Sequence, residues 1–214
     1  MAKAGRRGAL KDGDPSRTRD RIVAAAIETL KREGFAGASA RAIASLGGFN
    51  PALVFYHFGS VNDLLLAALD QTSRVRQERY RTALEAAHSL TDLVGVAREV
   101  FLEDLSSGHI KVLAEMIAGS SAVPELGPEV RARIAPWMQF TEDALARVLP
   151  SGPVADLVPR PTLAFAIVAL YLGLEMLTEL DGNRGPAESL FDSAHLATSL
   201  LGLLATPSEG IAHD

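Results

Sequence analysis

The chain has 214 residues, no cysteine and a formal net charge of −5, which excludes a disulfide scaffold, a thiol nucleophile and any cysteine-ligated metal. With 48% hydrophobic and 22% charged residues it is too apolar to be disordered as a whole. Its 34 Ala and 30 Leu stand against 32 Val, Ile and Thr together, an excess of helix formers over β-branched residues that predicts an all-α fold.

The charge is unevenly spread. Residues 1–60 carry 10 Lys and Arg against 5 Asp and Glu, whereas residues 61–214 carry 11 against 21. A basic segment joined to an acidic one suggests a module that approaches polyanions, attached to one that does not. A basic tail that only aids solubility would produce the same count.

In chain order, residues 1–15 read as a flexible basic arm; without an apolar core the arm is not a secretory signal. A first helix is predicted over Ser16–Glu33, with Ile22, Val23, Ala26, Ile27 and Leu30 on one face. Lys31 and Arg32 suit its last turn and Gly34 stops it. Two short helices come next, Ser39–Leu46 and Asn50–His57, separated by the Gly47-Gly48 turn, with Pro51 in the first turn of the second. A fourth begins at Ser60, where Ser60 and Asp63 have capping-box spacing; the polar run Gln71–Arg81 leaves its end open. Helices over 90–106, 109–118, 127–149, 161–181 and 186–205 complete about nine, and Pro136 should kink or split the third of these. Leu163–Leu180 is apolar enough to raise a membrane span, but Gly173, Glu175, Thr178 and Glu179 interrupt it. The pattern predicts a buried helix in a cytoplasmic protein with no membrane partner.

Two short helices across a glycine turn describe a helix-turn-helix, whose second helix enters the major groove, although any αα-corner could use the same residues. The residue order from the turn onward is far more specific. Gly48-Phe49, Asn50-Pro51, Phe55-Tyr56-His57-Phe58, Gly59-Ser60 and Asp63-Leu64-Leu65, in that order, resemble the DNA-binding domain of the tetracycline-repressor-like (TetR) family. The resemblance begins with the first helix and Gly34-Phe35, passes through Arg41-Ala42-Ile43-Ala44 and ends near Leu69. It implies a DNA-binding domain over 16–77 and a ligand-binding and dimerisation domain over 78–214.

By that resemblance Asn50–His57 is the recognition helix, and Tyr56 and His57 take positions that contact phosphates. A phenol and an imidazole both donate to phosphate oxygens; the alternative for each is aromatic packing against the fourth helix. Ser39 and Arg41, on the preceding helix, would reach backbone or base edges, Arg41 being otherwise a solvated surface charge. Pro51 sets the helix start, and Ala52 and Leu53 offer only methyl contacts to thymine. Direct readout would then fall on Asn50, Tyr56 and Arg41, with DNA shape supplying the rest. Two positions depart from the family pattern. Phe55 stands where tyrosine is common, and Val61 where a phosphate-binding lysine is usual, leaving backbone N–H groups there to hold a phosphate. Lys3, Arg6, Arg7 and Lys11 of the arm would compensate through the minor groove.

In the acidic remainder, Leu93, Val96, Ala97, Val100 and Phe101 form one apolar face and Asp104 falls in its middle. A carboxylate there needs a partner: a polar or cationic ligand group, an arginine or helix cap, or solvent at a frayed end. Trp137 continues a stripe through Val130, Ile134, Thr141 and Val148, readable as core or as a ligand platform. The resemblance adds Phe101, Met116, Phe140 and Tyr171 as cavity candidates. Tyr171 and Glu175 share one helix face, either a pocket wall or a partly solvated edge. Ala166, Ala169 and Gly173 line up as small residues, and the last helix presents Leu190, Ala194, Ala197 and Leu201. The resemblance implies that these two helices pair across a twofold dimer, matching two DNA half-sites.

No cofactor or metal is expected. The five histidines include no i, i+4 pair, no HExxH, GxSxG, P-loop or GxGxxG motif occurs, and Asp and Glu pairs fall on predicted solvent faces. The reading is a homodimeric transcriptional regulator, a repressor that binds a pseudo-palindromic operator in double-stranded DNA and is released by a small-molecule effector. The alternatives are a DNA-binding regulator without such an effector, and an all-helical enzyme.

Overall fold

Helices account for all regular structure in the computed structural model, which describes residues 15–149 and 158–205. Among the described residues these are α1 (Pro15–Gly37), α2 (Ala40–Gly47), α3 (Ala52–Phe58), α4 (Val61–Glu85), α5 (Leu90–Ser107), α6 (His109–Ala122), α7 (Leu126–Val148), α8 (Arg160–Asp181) and α9 (Gly185–Ala205). The chain divides between Ala68 and Leu69 into two compact units. Lys3, Arg6, Arg7 and Lys11 lie outside the described residues.

In the first unit α1 buries Ile22, Val23, Ala26 and Leu30. Buried Thr29 satisfies its hydroxyl by donating to the Ala25 carbonyl at 2.8 Å. The regular helix ends at Gly34, whose φ of 71° and ψ of −177° break the ladder before a last turn to Gly37. α2 packs on α1 through Ile43 and Ala44, and α4 adds Leu64, Leu65 and Ala68 to the buried set.

In the second unit α7 packs on α8, α6 touches both, and α9 packs on α5. Phe101, Ala187 and Phe191 form a core cluster, with the two phenyl rings 5.3 Å apart. The part of α4 beyond Ala68 is held largely by polar contacts. Arg133 on α7 pairs with Asp70 at 2.8 Å, and Tyr80 and Arg79 reach Glu103 on α5 at 2.9 and 2.6 Å.

One open point is resolved and two expectations need correction. The polar run Gln71–Arg81, which left the end of α4 open, extends the helix, and charges along α4 find partners on α5 and α7. Pro136 does not split α7, which runs unbroken from Leu126 to Val148. Ala132, whose carbonyl loses its amide partner to the proline, is exposed and open to water. Finally, α8 is not a buried helix. Its buried residues are Ala164, Glu175 and Thr178, while Phe165, Leu170, Leu177 and Leu180 are 58, 56, 61 and 80% exposed. High mean hydropathy suggested burial, but the one stripe turned inward carries polar groups and the apolar stripes face outward. By length and composition alone α8 could cross a membrane.

Candidate nucleic-acid interface and effector cleft

The α2–α3 corner is fixed by short local bonds. The Ser39 hydroxyl accepts the Ala42 N–H at 3.2 Å and caps α2. The chain then turns through Gly48 at φ 64°, and a Cβ on Gly47 would sit 2.2 Å from the Phe49 ring and 2.9 Å from Ala25. Only glycine fits that close approach. Arg21 on α1 donates to the carbonyls of Gly47 and Gly48 at 3.4 and 3.3 Å, tying the turn down. Asn50 Oδ1 accepts the Ala52 N–H at 2.9 Å and starts α3.

Fully buried Val54 anchors α3, which leaves Ala52, Phe55 and Tyr56 exposed and Leu53 and His57 half-buried. Tyr56 is 82% exposed, and its ring meets His57 edge-on at 5.0 Å. Ser39, Arg41, Asn50 and Pro51 are also exposed and Val61 is half-buried. At the start of α4 the Asp63 N–H donates to the Ser60 hydroxyl at 3.0 Å, and that hydroxyl donates to the Asp63 carboxylate at 2.6 Å. The corner presents phenol, imidazole, amide and guanidinium groups with few acidic side chains among them.

In the second unit Asp104 is 1% exposed and accepts three bonds: from Arg76 Nε at 2.8 Å, from a second guanidinium N–H of Arg76, and from the Tyr171 hydroxyl at 2.7 Å. The other side of the Arg76 guanidinium lies over the Trp137 ring, 4.5 Å from its centre. The Trp137 N–H donates to Ser73 at 2.6 Å. Beside Asp104 lies Glu175, 2% exposed, whose Oε1 has no hydrogen-bond partner among the described residues. Burial first, and then the charge of Asp104, push the Glu175 carboxyl up to about 8. Burial also raises the Tyr171 phenol well above the usual range. Asp104 and Glu175 share a cleft of about 200 Å³ with Gly108, Ile110, Thr178 and Arg184. At its edge Lys111 pairs with Glu179 at 3.4 Å.

Residues 22–68 match the family model for bacterial regulatory proteins, tetR family. Over those residues the chain carries a tetR-type DNA-binding domain. It is 32% identical over 65 residues to the HTH-type transcriptional repressor NicS of Pseudomonas putida, the match spanning 30% of this chain and 31% of that protein. Over 146 residues it is 25% identical to the HTH-type transcriptional regulator UidR of Escherichia coli K12, covering 66% of this chain and 70% of UidR. A similar solved structure is the multidrug binding protein EbrR complexed with imidazole, at 25% identity and a TM-score of 0.63 over 88% of this chain and 96% of that one. These relatives are regulators and a multidrug binding protein, and the chain is a DNA-binding transcriptional regulator, all-α among the described residues.

In the second unit the cleft gathers Asp104 and Glu175, with Tyr171 bonded to the first. Phe101 and Met116 are fully buried in the core. Trp137 and Phe140 pair edge-on at 5.8 Å and line no part of the cleft. Asp104 and Glu175, from α5 and α8, are both buried. Sequence reasoning does not single out Arg76, Lys111 or Arg184. Only Arg76 carries a signal that could have found it, since Arg76, Arg79 and Tyr80 sit at i, i+3, i+4 and so share one face of α4.

Proposed function

We propose that the protein is a homodimeric repressor that binds a pseudo-palindromic operator and is released by a small molecule entering the Asp104–Glu175 cleft. The exposed Tyr56, flanked by His57, Asn50 and Arg41, carries the DNA half of this reading. Ser39 and Pro51 set the ends of the two short helices, Ala52 and Leu53 offer methyl contacts, and the backbone at Val61 receives a phosphate. A DNA-binding regulator works where the DNA is, which places it in the cytoplasm.

The dimer half rests on the outward apolar residues of α8 and α9. Ala166 and Ala169 are exposed and Gly173 half-buried; Leu190, Ala197 and Leu201 are exposed and Ala194 half-buried. Phe165, Leu170, Leu177, Leu196 and Leu200, all more than half exposed, extend that surface. Burying such a surface against a second copy removes apolar area from water. Two half-sites then add their binding energies.

The effector half rests on Asp104. Arg76 binds it from α4, the helix that runs without interruption from Val61 to Glu85. A ligand that disturbs this pair acts on the helix that begins beside the recognition corner. It shifts DNA affinity only as far as it binds the two states differently.

The test is titration of the purified protein with DNA from its own upstream region at several salt concentrations. Preference over random DNA of equal length, with a log–log salt slope of about 0.9 per phosphate contact, is expected. Equal binding to both DNAs would overturn the operator reading.

A further inference from the structure

Among the described residues that line the cleft, one buried side chain has a polar atom left unsatisfied. Asp104, on α5, is held by Arg76 from α4 and by Tyr171 from α8. Lys111, on α6, is matched by Glu179 on α8. Arg184 stands exposed in the turn before α9. Glu175 remains: a carboxyl 2% exposed that lines the cleft, with Oε1 unbonded among the described residues. A buried polar atom without a partner is costly, and its persistence points to a partner that arrives from outside.

We propose that the cleft takes a small organic monocation, a protonated amine or an amidine, whose N–H group donates to Glu175 Oε1. The proposal rests on the reading of the second unit as an effector domain, and names the class of effector. Three observations carry it. An anion would lie against the Asp104 carboxylate, while Lys111 is already paired with Glu179 and Arg184 is exposed to solvent. A divalent cation would need several oxygen ligands, and here Asp104 is committed to Arg76 and Tyr171. The volume, about 200 Å³, corresponds to about six or seven waters at about 30 Å³ each, which suits a single ring bearing one charged group. Thr178 and Ile110 line the cleft, one offering a hydroxyl and the other an apolar wall.

The chemistry fixes a further signature. Near neutral pH, Glu175 holds its proton, because burial and Asp104 oppose its charge. A monocation that pairs with Glu175 displaces that proton to solvent: carboxylic acid plus ammonium gives carboxylate–ammonium pair plus a free proton. Binding therefore strengthens with rising pH, by up to about tenfold per unit, and levels off near pH 8. The other groups facing Glu175 are Asp104, Arg76, Tyr171, Glu179, Lys111 and Arg184.

The experiment is calorimetric titration of the full-length protein, without DNA, using benzylamine and its uncharged counterpart benzyl alcohol. Benzylamine should bind at least about tenfold more tightly, and its binding heat at about pH 7 should change with the ionisation heat of the buffer, as release of a proton requires. Glu175→Gln should erase both the preference and the buffer dependence while keeping the helical content of the parent. The wild-type buffer measurement stands even if that variant folds poorly. Equal affinity for the two probes, no binding of benzylamine, or cation binding without proton release would each overturn the assignment. DNA binding measured separately with and without benzylamine isolates the wider reading. If the amine binds at Glu175 but the operator affinity is unchanged, the release mechanism fails and the cation site stands.

Discussion

Asp104 and Glu175 show how burial divides two identical chemistries. Asp104 lies between an arginine and a phenol; the same arginine rests on an indole, so charge, hydrogen bonds and ring all brace one carboxylate. Removing the cation leaves a buried charge unmatched. Arg76→Ala is therefore expected to destabilise the protein by about 3–5 kcal/mol, measured by urea denaturation of the second unit's transition. Among the described residues Glu175 has no ion pair, and its Oε1 lacks a hydrogen-bond partner. Its folded pKa of about 8 lies above the ordinary carboxyl value of 4.5, so the folded state holds a proton that the unfolded state releases between those limits. Stability accordingly falls as pH rises from about 4.5 to about 8 and is flat above. Glu175→Gln should match the parent near pH 5 and exceed it near pH 8, by about 1–3 kcal/mol once solvent at the cleft mouth is allowed for. Melting curves at both pH values check the sign; a parent whose stability does not fall over this range would contradict it. That Asp104 needs a partner was legible in its place on an apolar face. That Glu175 Oε1 is left without one was not, since an isolated helix does not reveal which stripe its neighbours cover.

At the scale of elements, the corner from Ser39 to Asp63 was the most legible part of the chain. Its devices are local: a serine cap, a glycine pair, an asparagine at a helix start and a serine–aspartate pair all act within a few residues. Ser39→Ala should cost about 1 kcal/mol through loss of the α2 cap, read from denaturation. The same variant should weaken operator binding only as far as it loosens α2. Tyr56→Phe removes a hydroxyl from an exposed ring and nothing from the core. It should leave the melting temperature unchanged and lower the salt slope by about 0.9 for each half-site that loses the phosphate contact. Longer elements were legible in number and type, less so in their ends and burial. Pro136 failed to divide α7 because its orphaned carbonyl is solvated. α4 outran the apolar pattern because Arg79, Tyr80 and Arg76 are satisfied by residues of α5 that lie far away in sequence. Long-range partners of that kind have no local signature.

At the scale of the whole molecule, the net charge of −5 hides a basic reading head and an acidic body, and only the local motif separates them. The sum alone argues against a nucleic-acid partner, yet the family match, over residues 22–68, overlaps the basic segment 1–60. The apolar outward stripes of α8 and α9 set the remaining expectation. Leu177→Glu combined with Leu201→Glu places charges on both helices at sites that are 61 and 59% exposed in the single chain. The pair should leave the fold intact, convert the species seen in sedimentation to a monomer, and abolish cooperative occupation of a two-half-site operator. A parent protein that sediments as a monomer at micromolar concentration would remove the basis for this expectation.

Leu180, exposed on α8 with Leu177 one turn back, also bears on how the protein is handled by a cell. A chain that displays a helix this apolar is at greatest risk when solitary, because adsorption to surfaces and recognition by quality-control proteases both increase with uncovered oily area. For a self-associating chain that risk is highest when few copies exist. Loss during purification should then worsen on dilution, the reverse of ordinary concentration-driven precipitation, and in a cell the first molecules made would be the shortest-lived.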